Sequence, residues 1–457
     1  MKKLMMALVV LLVLVAGVAV LGWWMWTERG EDDNEWTTSS PRAAEELDAG
    51  LAAIHRHHWT AAAQHVYRAV ELDPDFIVAR YLQARYFLFD KNEKETTMAQ
   101  VVALDQSELS DRERFLMSFW TAIDERDADT SEHLVDTYLA DYPDDLFGIE
   151  ALCDVHWVRQ RWDEAMECYE RLLALYPSRV HARLNRGYIE LARGRFDDAE
   201  AEFEAYRFVA PDRPEPYQVL GKLDTVRGRY QEAAHHLAKS LEIDSTYCPA
   251  WVDLGYLQAH AGWLDQCEQT IARMIEVEEC HWLQEHGQVC LLQVLAAYVS
   301  GDEERVLDRL ETCVQGNRTS VLGYRVALAS GRDDLATALE TKLAGRLRSV
   351  EEAGFPAEAS MLRGLELHYA AVKSFAAGDL DLAAEQFAAA DAKLDYWGMS
   401  TWAFKLFNRL DWMTALSSDG RLEEAQTVLA EIEEVNPRYA EQMTIGSLDR
   451  LFPGSLP

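Results

Sequence analysis

The chain has 457 residues, 49% of them apolar and 10% aromatic, which is too hydrophobic a composition for a disordered polymer. Its 78 acidic and 44 basic side chains give a formal charge of −34 with no clustered basic stripe, which argues against a nucleic-acid partner. The acidity reads as a solvated, self-repelling surface.

Residues 4–26 carry no charge, and at about 1.5 Å per residue a helix of that length covers roughly 34 Å, enough for a hydrocarbon core of about 30 Å. Trp23, Trp24 and Trp26 stand at its downstream end, where indole rings favour a lipid–water interface. Lys2 and Lys3 precede the stretch, and Arg29 is the only basic residue in the acidic run that follows. The expectation is one uncleaved transmembrane helix in the cytoplasmic (inner) membrane, N-terminus inside, with the rest on the periplasmic or extracellular side. A cleavable signal with a small-residue site at Gly17 and Ala19 is the rival reading. Residues 1–27 are thus the anchor. Residues 28–42 are an acidic, polar tether in which Ser39 or Ser40 can cap the first helix.

From residue 43 to 451 the chain repeats. Gly194, Gly228 and Gly262 stand 34 apart, as do Pro143, Pro177 and Pro211, and Ala165, Ala199, Ala233 and Cys267 keep the same step. An end copy, 43–76, has Gly50, Ala62, Val66, Ala69 and Pro74 in matching slots. Its turn carries His55, His57 and His58, with His65 further on; no carboxylate or cysteine joins them at ligand spacing, so they read as a solvent-facing turn. Weaker copies at 77–145 lead to four clean ones at 146–179, 180–213, 214–247 and 248–281. Gly301, Gly331 and Gly378 keep the turn through 282–360 and 361–397, where the spacing drifts, and 406–439 is a second end copy. Residues 438–451 read as a capping helix and 452–457 as a tail.

The physical reading is a stack of helical hairpins. Two helices joined by a short turn approach closely only where neither carries a bulky side chain. Glycine in the turn accepts the left-handed conformation that stops the first helix, and proline ends the second. Of the seven cysteines, Cys153 and Cys267 fall where a small buried residue is wanted and read as core filling. Cys248, Cys280, Cys290 and Cys313 are close enough in the array to leave disulfides open. Asn317, Arg318 and Thr319 form a glycosylation sequon.

In the last clean copy Trp251, Leu254, Gly255, Gly262, Leu264, Cys267, Ile271 and Met274 take repeat positions 4, 7, 8, 15, 17, 20, 24 and 27. This resembles the tetratricopeptide repeat (TPR) family, with small residues at positions 8 and 20; those slots also hold Gly187 and Ala199, then Gly221 and Ala233. The resemblance implies an all-α, right-handed superhelical solenoid, here of about eleven hairpins preceded by one transmembrane helix. Residues 211–244 are similar to TPR regions of bacterial signalling proteins, although no effector domain accompanies them. In the family, first-helix positions 2, 5, 6, 9, 12 and 13 line the concave wall. Here they supply Glu150, Asp154 and Trp157, then Asn185 and Tyr188, then Gln218 and Lys222, then Asp253, Tyr256 and His260, a mixed groove with aromatic anchors. TPR domains that hold a partner's C-terminal carboxylate use basic and amide side chains where this chain has Glu150, Asp154, Asn185, Glu215 and Val219. A neutral or basic peptide is the better partner.

No nucleophile elbow, zinc-protease, dinucleotide or phosphate-loop pattern occurs, so no enzyme, cofactor or metal is expected. The function expected is a membrane-anchored scaffold for protein–protein interaction. An accessory or sensory subunit of a membrane signalling system is the alternative, and a hydrolase or metal enzyme within 282–360 the remote one.

Overall fold

The structure is a computed structural model that describes residues 36–453 apart from 56–58, 89–90, 126, 178, 282, 284–286, 316–320, 396–398 and 444–447. Every regular element among the described residues is helical. The chain forms two compact units, Met1–Thr121 and Ala122–Pro457.

The expected fold class needs one correction. Among the described residues no helix is long and apolar enough to cross a membrane. The longest, Asp333–Glu352, Pro356–Ala376 and Met399–Ser418, have 20, 21 and 20 residues but are broken by charged side chains such as Lys342, Arg346, Arg363, Lys373, Lys405 and Arg409. Residues 4–26, on which the expected span falls, lie outside the described residues, as does most of the tether. Among the described residues the architecture is an all-α repeat array with no membrane-spanning helix, and the single-pass inner-membrane localisation is not retained.

In the first unit Pro41–His55 and Trp59–Leu72 form the end hairpin. A Cβ on Gly50 would lie 3.0 Å from Val66 Cγ2, so the two helices cross where the small residue stands. The Ser40 hydroxyl accepts from the Ala43 amide at 3.3 Å and caps the first helix. The segment before it is pinned: Trp36 Nε1 donates to Asp48, and Thr38 and Ser39 donate to the Asp73 carboxylate at 2.6 and 3.0 Å.

In the second unit the clean copies fold as paired helices, Leu146–Val158 with Trp162–Leu175, His181–Ala192 with Phe196–Val209, Pro214–Val226 with Tyr230–Ile243, and Cys248–His260 with Leu264–Glu276. A Cβ on Gly187 would sit 2.2 Å from Phe203 Cε1, and one on Gly221 2.6 Å from Leu237 Cγ, so each glycine marks the crossing of its own hairpin. Gly255 differs. Its nearest neighbour is Leu292 of the next first helix, at 2.3 Å from the added Cβ. The turn slot is left-handed throughout, with φ of 73°, 72° and 73° at Gly194, Gly228 and Gly262, and in the first clean copy it is held by Gln160 at φ 54°.

Further on, the spacing drifts because the helices lengthen. Asp333–Glu352, Pro356–Ala376 and Met399–Ser418 run 20 to 21 residues against 12 to 14 in the clean copies. Gly354 and Gly420, both left-handed, close turns in this region alongside Gly331 and Gly378.

Two features tie neighbouring copies together. Arginines flanking the left-handed turn residue reach back one copy: Arg159 to Asp129, Arg193 to Asp163 at 2.6 Å, Arg161 to Glu132 at 2.5 Å, and Arg229 to Glu200 at 2.9 Å. Each such partly exposed pair contributes at most about 1 kcal/mol, so the ladder fixes register more than it adds stability. Disulfides join Cys153 to Cys168, Cys248 to Cys280 and Cys290 to Cys313, leaving Cys267 free and buried. Cys267 fills the core as its slot implies. Cys153 does more than fill, because its side chain bridges the two helices of its hairpin.

Candidate functional site

The first helices of the clean copies carry all ten residues expected to line the inner wall, and the structure divides them. Asp154 is exposed, and Trp157, Asn185 and Tyr188 are partly exposed. Trp157 packs edge-on against Trp162 and Tyr188, with ring centroids 5.6 and 6.4 Å apart. Asn185 Nδ2 donates to the Tyr169 hydroxyl at 3.0 Å, which fixes its amide. Lys222 Nζ stands 4.6 Å from the centre of the Tyr188 ring, a cation–π contact.

The other six are buried. Glu150 is 5% exposed, with its carboxylate 3.4 Å from Arg179 Nε and 3.5 Å from His181 Nε2. Burial pushes its pKa up to about 7, with Arg179 opposing the rise. Gln218 Nε2 donates to Asp253. Burial raises the Asp253 carboxyl to about 7 and lowers the Lys222 amine to about 8, and each charge partly restores the other. Tyr256 and His260 lie stacked, with rings 6.5 Å apart, and burial holds the His260 imidazole neutral by lowering its pKa to about 3.

Over Tyr256 and His260 the cover is the chain's own C-terminal region. Trp402, at the start of Met399–Ser418, places its ring 5.0 Å from that of His260, and Tyr439 lies 6.0 Å from it. Asn436 fills the space beside Gly228, where an added Cβ would meet its Oδ1 at 2.3 Å, and its Nδ2 donates to the Tyr230 hydroxyl at 3.3 Å. Pro214–Val226 becomes buried along nearly its whole length, including its polar residues Glu215, Gln218, Lys222 and Asp224. One continuous apolar core runs from Leu184 to Phe452.

A charged knot holds this region in place. Arg325 and Asp411, both fully buried and 86 residues apart, pair at 3.0 Å, and His368 Nε2 lies 3.5 Å from Asp411. His368 Nδ1 contacts Asn408 Oδ1 at 3.0 Å, and Asn408 Nδ2 donates to the Phe387 carbonyl. The Arg325 guanidinium also lies over the Phe407 ring at 4.6 Å. Sequence reasoning does not find these residues, because each pairs with a partner remote in the chain, 86 residues away for Arg325 and Asp411 and 40 for His368 and Asn408. The one local signal is Met399–Ser418 itself, where Trp402, Phe404, Leu406, Phe407, Leu410, Trp412 and Met413 leave no clean polar face.

Among the described residues no group of three His, Cys, Asp or Glu side chains could hold a metal ion. Of the histidines at the first turn, His57 and His58 lie outside the described residues, and His65 contacts Glu46 at 2.7 Å. The sequon at 317–319 also lies outside them. A polar cleft of about 660 Å³ beside the C-terminal region is lined by Arg193, Arg195, Arg227, Lys405 and Arg409 against Asp197, Asp198, Asp395, Glu431 and Glu434, so neither sign dominates.

A tetratricopeptide repeat family model matches residues 152–219, within the clean copies. No curated protein matches the chain. Among solved structures, a tetratricopeptide repeat protein from Parabacteroides merdae is 17% identical over 56% of this chain and 96% of its own, with a TM-score of 0.39. The Cut9–Hcn1 hetero-tetramer of the APC/C is 14% identical over 91% and 76%, with a TM-score of 0.48. Yeast Tom70 is 13% identical over 87% and 93%, with a TM-score of 0.41. The family match agrees with what the packing gives independently: tetratricopeptide-type hairpins in an all-α repeat array, a scaffold consistent with protein–protein interaction.

Proposed function

We propose that the chain is a protein-interaction scaffold whose working surface is the upstream part of the inner wall, Asp154, Trp157, Asn185 and Tyr188. The observation that carries this reading is the exposure pattern: these four are the expected groove residues that keep solvent-accessible surface. An indole and a phenol beside an amide and a carboxylate supply apolar anchoring and hydrogen bonding together, the usual composition of a peptide hot spot. Asp154 is the one charged residue of the four and is exposed, and with the chain at −34 it favours a neutral or basic partner over an acidic one. Binding geometry alone accounts for such a role, with no catalytic step.

The test is a photo-crosslinking residue placed at Asp154, compared with one at Glu170, which is exposed on the second helix of the same copy. A discrete partner adduct from Asp154 that is missing from Glu170, and that weakens when Trp157 is changed to Ala, is the expected result. Equal labelling from both positions would remove the groove as the docking surface.

A further inference from the structure

Where the C-terminal region covers the downstream inner wall, it does not fill it. A cavity of about 50 Å³ remains, walled by Tyr256, Leu295, Val321, Phe407, Tyr439 and Met443 with His260 among them. Partly exposed Leu291, Leu322, Ala403 and Phe404 form the rest of its lining and its mouth. The Tyr439 hydroxyl is already used, donating to the Ala403 carbonyl at 3.2 Å. His260 is 3% exposed, and neither of its ring nitrogens has a hydrogen-bond partner. A buried imidazole left with no partner carries an uncompensated desolvation penalty, which makes this an unusual residue to keep in an apolar wall.

We propose that the cavity is a binding site for a short neutral ligand or ligand end, of about four heavy atoms, that carries a hydroxyl or primary amide and enters with that group toward His260. Three alternatives fit the lining less well. An ordered water needs two to four polar partners, and the cavity wall offers one unpaired side chain. A purely aliphatic group would leave both ring nitrogens unsatisfied. An ion would lose its hydration against an apolar wall with no opposite charge in it. A hydroxyl or amide can donate to one imidazole nitrogen or accept from the other while its alkyl body covers Leu295 and Phe407. The low pKa of His260 keeps the ring neutral at ordinary pH and so able both to donate and to accept. This site is independent of the groove proposed above, and either can fail without the other.

The test uses the full chain with ring-¹⁵N histidine, the His260 signals being assigned from their loss in His260→Phe. Propionamide and 1-propanol are titrated, with propionate as the charged match. The expected result is a saturable shift of the two His260 ring nitrogens with both neutral probes and at least about tenfold weaker binding of propionate. Leu291→Trp, which plugs the mouth from a partly exposed position and leaves His260 intact, should abolish the shift with the helical melting curve unchanged. Leu322→Trp plugs the opposite wall should the first variant fold poorly. No saturable shift, a shift that survives both plugged variants, equal binding of propionate, or ring nitrogens that see water only would each overturn the proposal.

Discussion

Tyr188 and Tyr256 occupy the same position of two copies 68 residues apart, yet one is partly open to solvent and the other is 6% exposed. Tyr188 rests on Trp157 and Phe203 of its own neighbourhood. Tyr256 sits beneath a region that begins more than 140 residues later in the chain. Repeat register decides which side chains face inward; whether the space they face is empty is decided by long-range packing. Of the ten positions that register turns inward, four keep solvent-accessible surface.

The comparison is broken most severely by removing what holds the cover. Asp411→Ala leaves the Arg325 guanidinium buried without its carboxylate, which should cost about 3–5 kcal/mol in urea unfolding and shift Trp402 fluorescence to the red. The upstream copies should keep their helical signal. A loss below about 1 kcal/mol would mean the buried pair does not anchor the C-terminal region.

Upstream, Glu150 gives a pH signature of its own. Its folded-state pKa is raised to about 7 from an ordinary carboxyl value, so ionisation is resisted by the native state. The associated stability is present below the ordinary carboxyl range and is lost as pH rises through 7. Glu150→Gln, neutral at every pH, should gain on the wild type between about pH 4.5 and 7, by about 3 kcal/mol at the upper end. A stability difference flat across that window would show that Glu150 titrates normally.

The smallest effect concerns the turns. Gln160 holds with a side chain the left-handed slot that glycine holds in the next three copies. Gln160→Gly should therefore stabilise by about 1 kcal/mol, raising the melting temperature, whereas Gly194→Ala in the corresponding slot should lower it.

These contrasts show how far the sequence reaches. The crossing glycines Gly187 and Gly221 are local: Gly187 must be small because Phe203 of the same hairpin passes 2.2 Å from where a Cβ would stand, and both lie within one copy. The arginine ladder was also readable, since Arg159 and Arg161, Arg193 and Arg195, and Arg227 and Arg229 flank the turn slot at the same step. Gln160 was masked because it breaks the glycine rule that it obeys in conformation. The stretched copies lost their register because helices of 20 residues insert extra turns without adding a turn residue. The docking of Asn436 on Gly228 and of Trp402 on His260 has no periodic trace, because a closure made once leaves nothing to repeat.

Hydroxyl-radical footprinting of the full chain, read by mass spectrometry, addresses the division of the inner wall most directly. Trp157 should oxidise readily, while Tyr256 and Trp402 stay protected until the C-terminal region is released by Asp411→Ala. Oxidation of Tyr256 and Trp402 at the rate of Trp157 in the wild-type chain would show the wall open along its whole length and contradict the account.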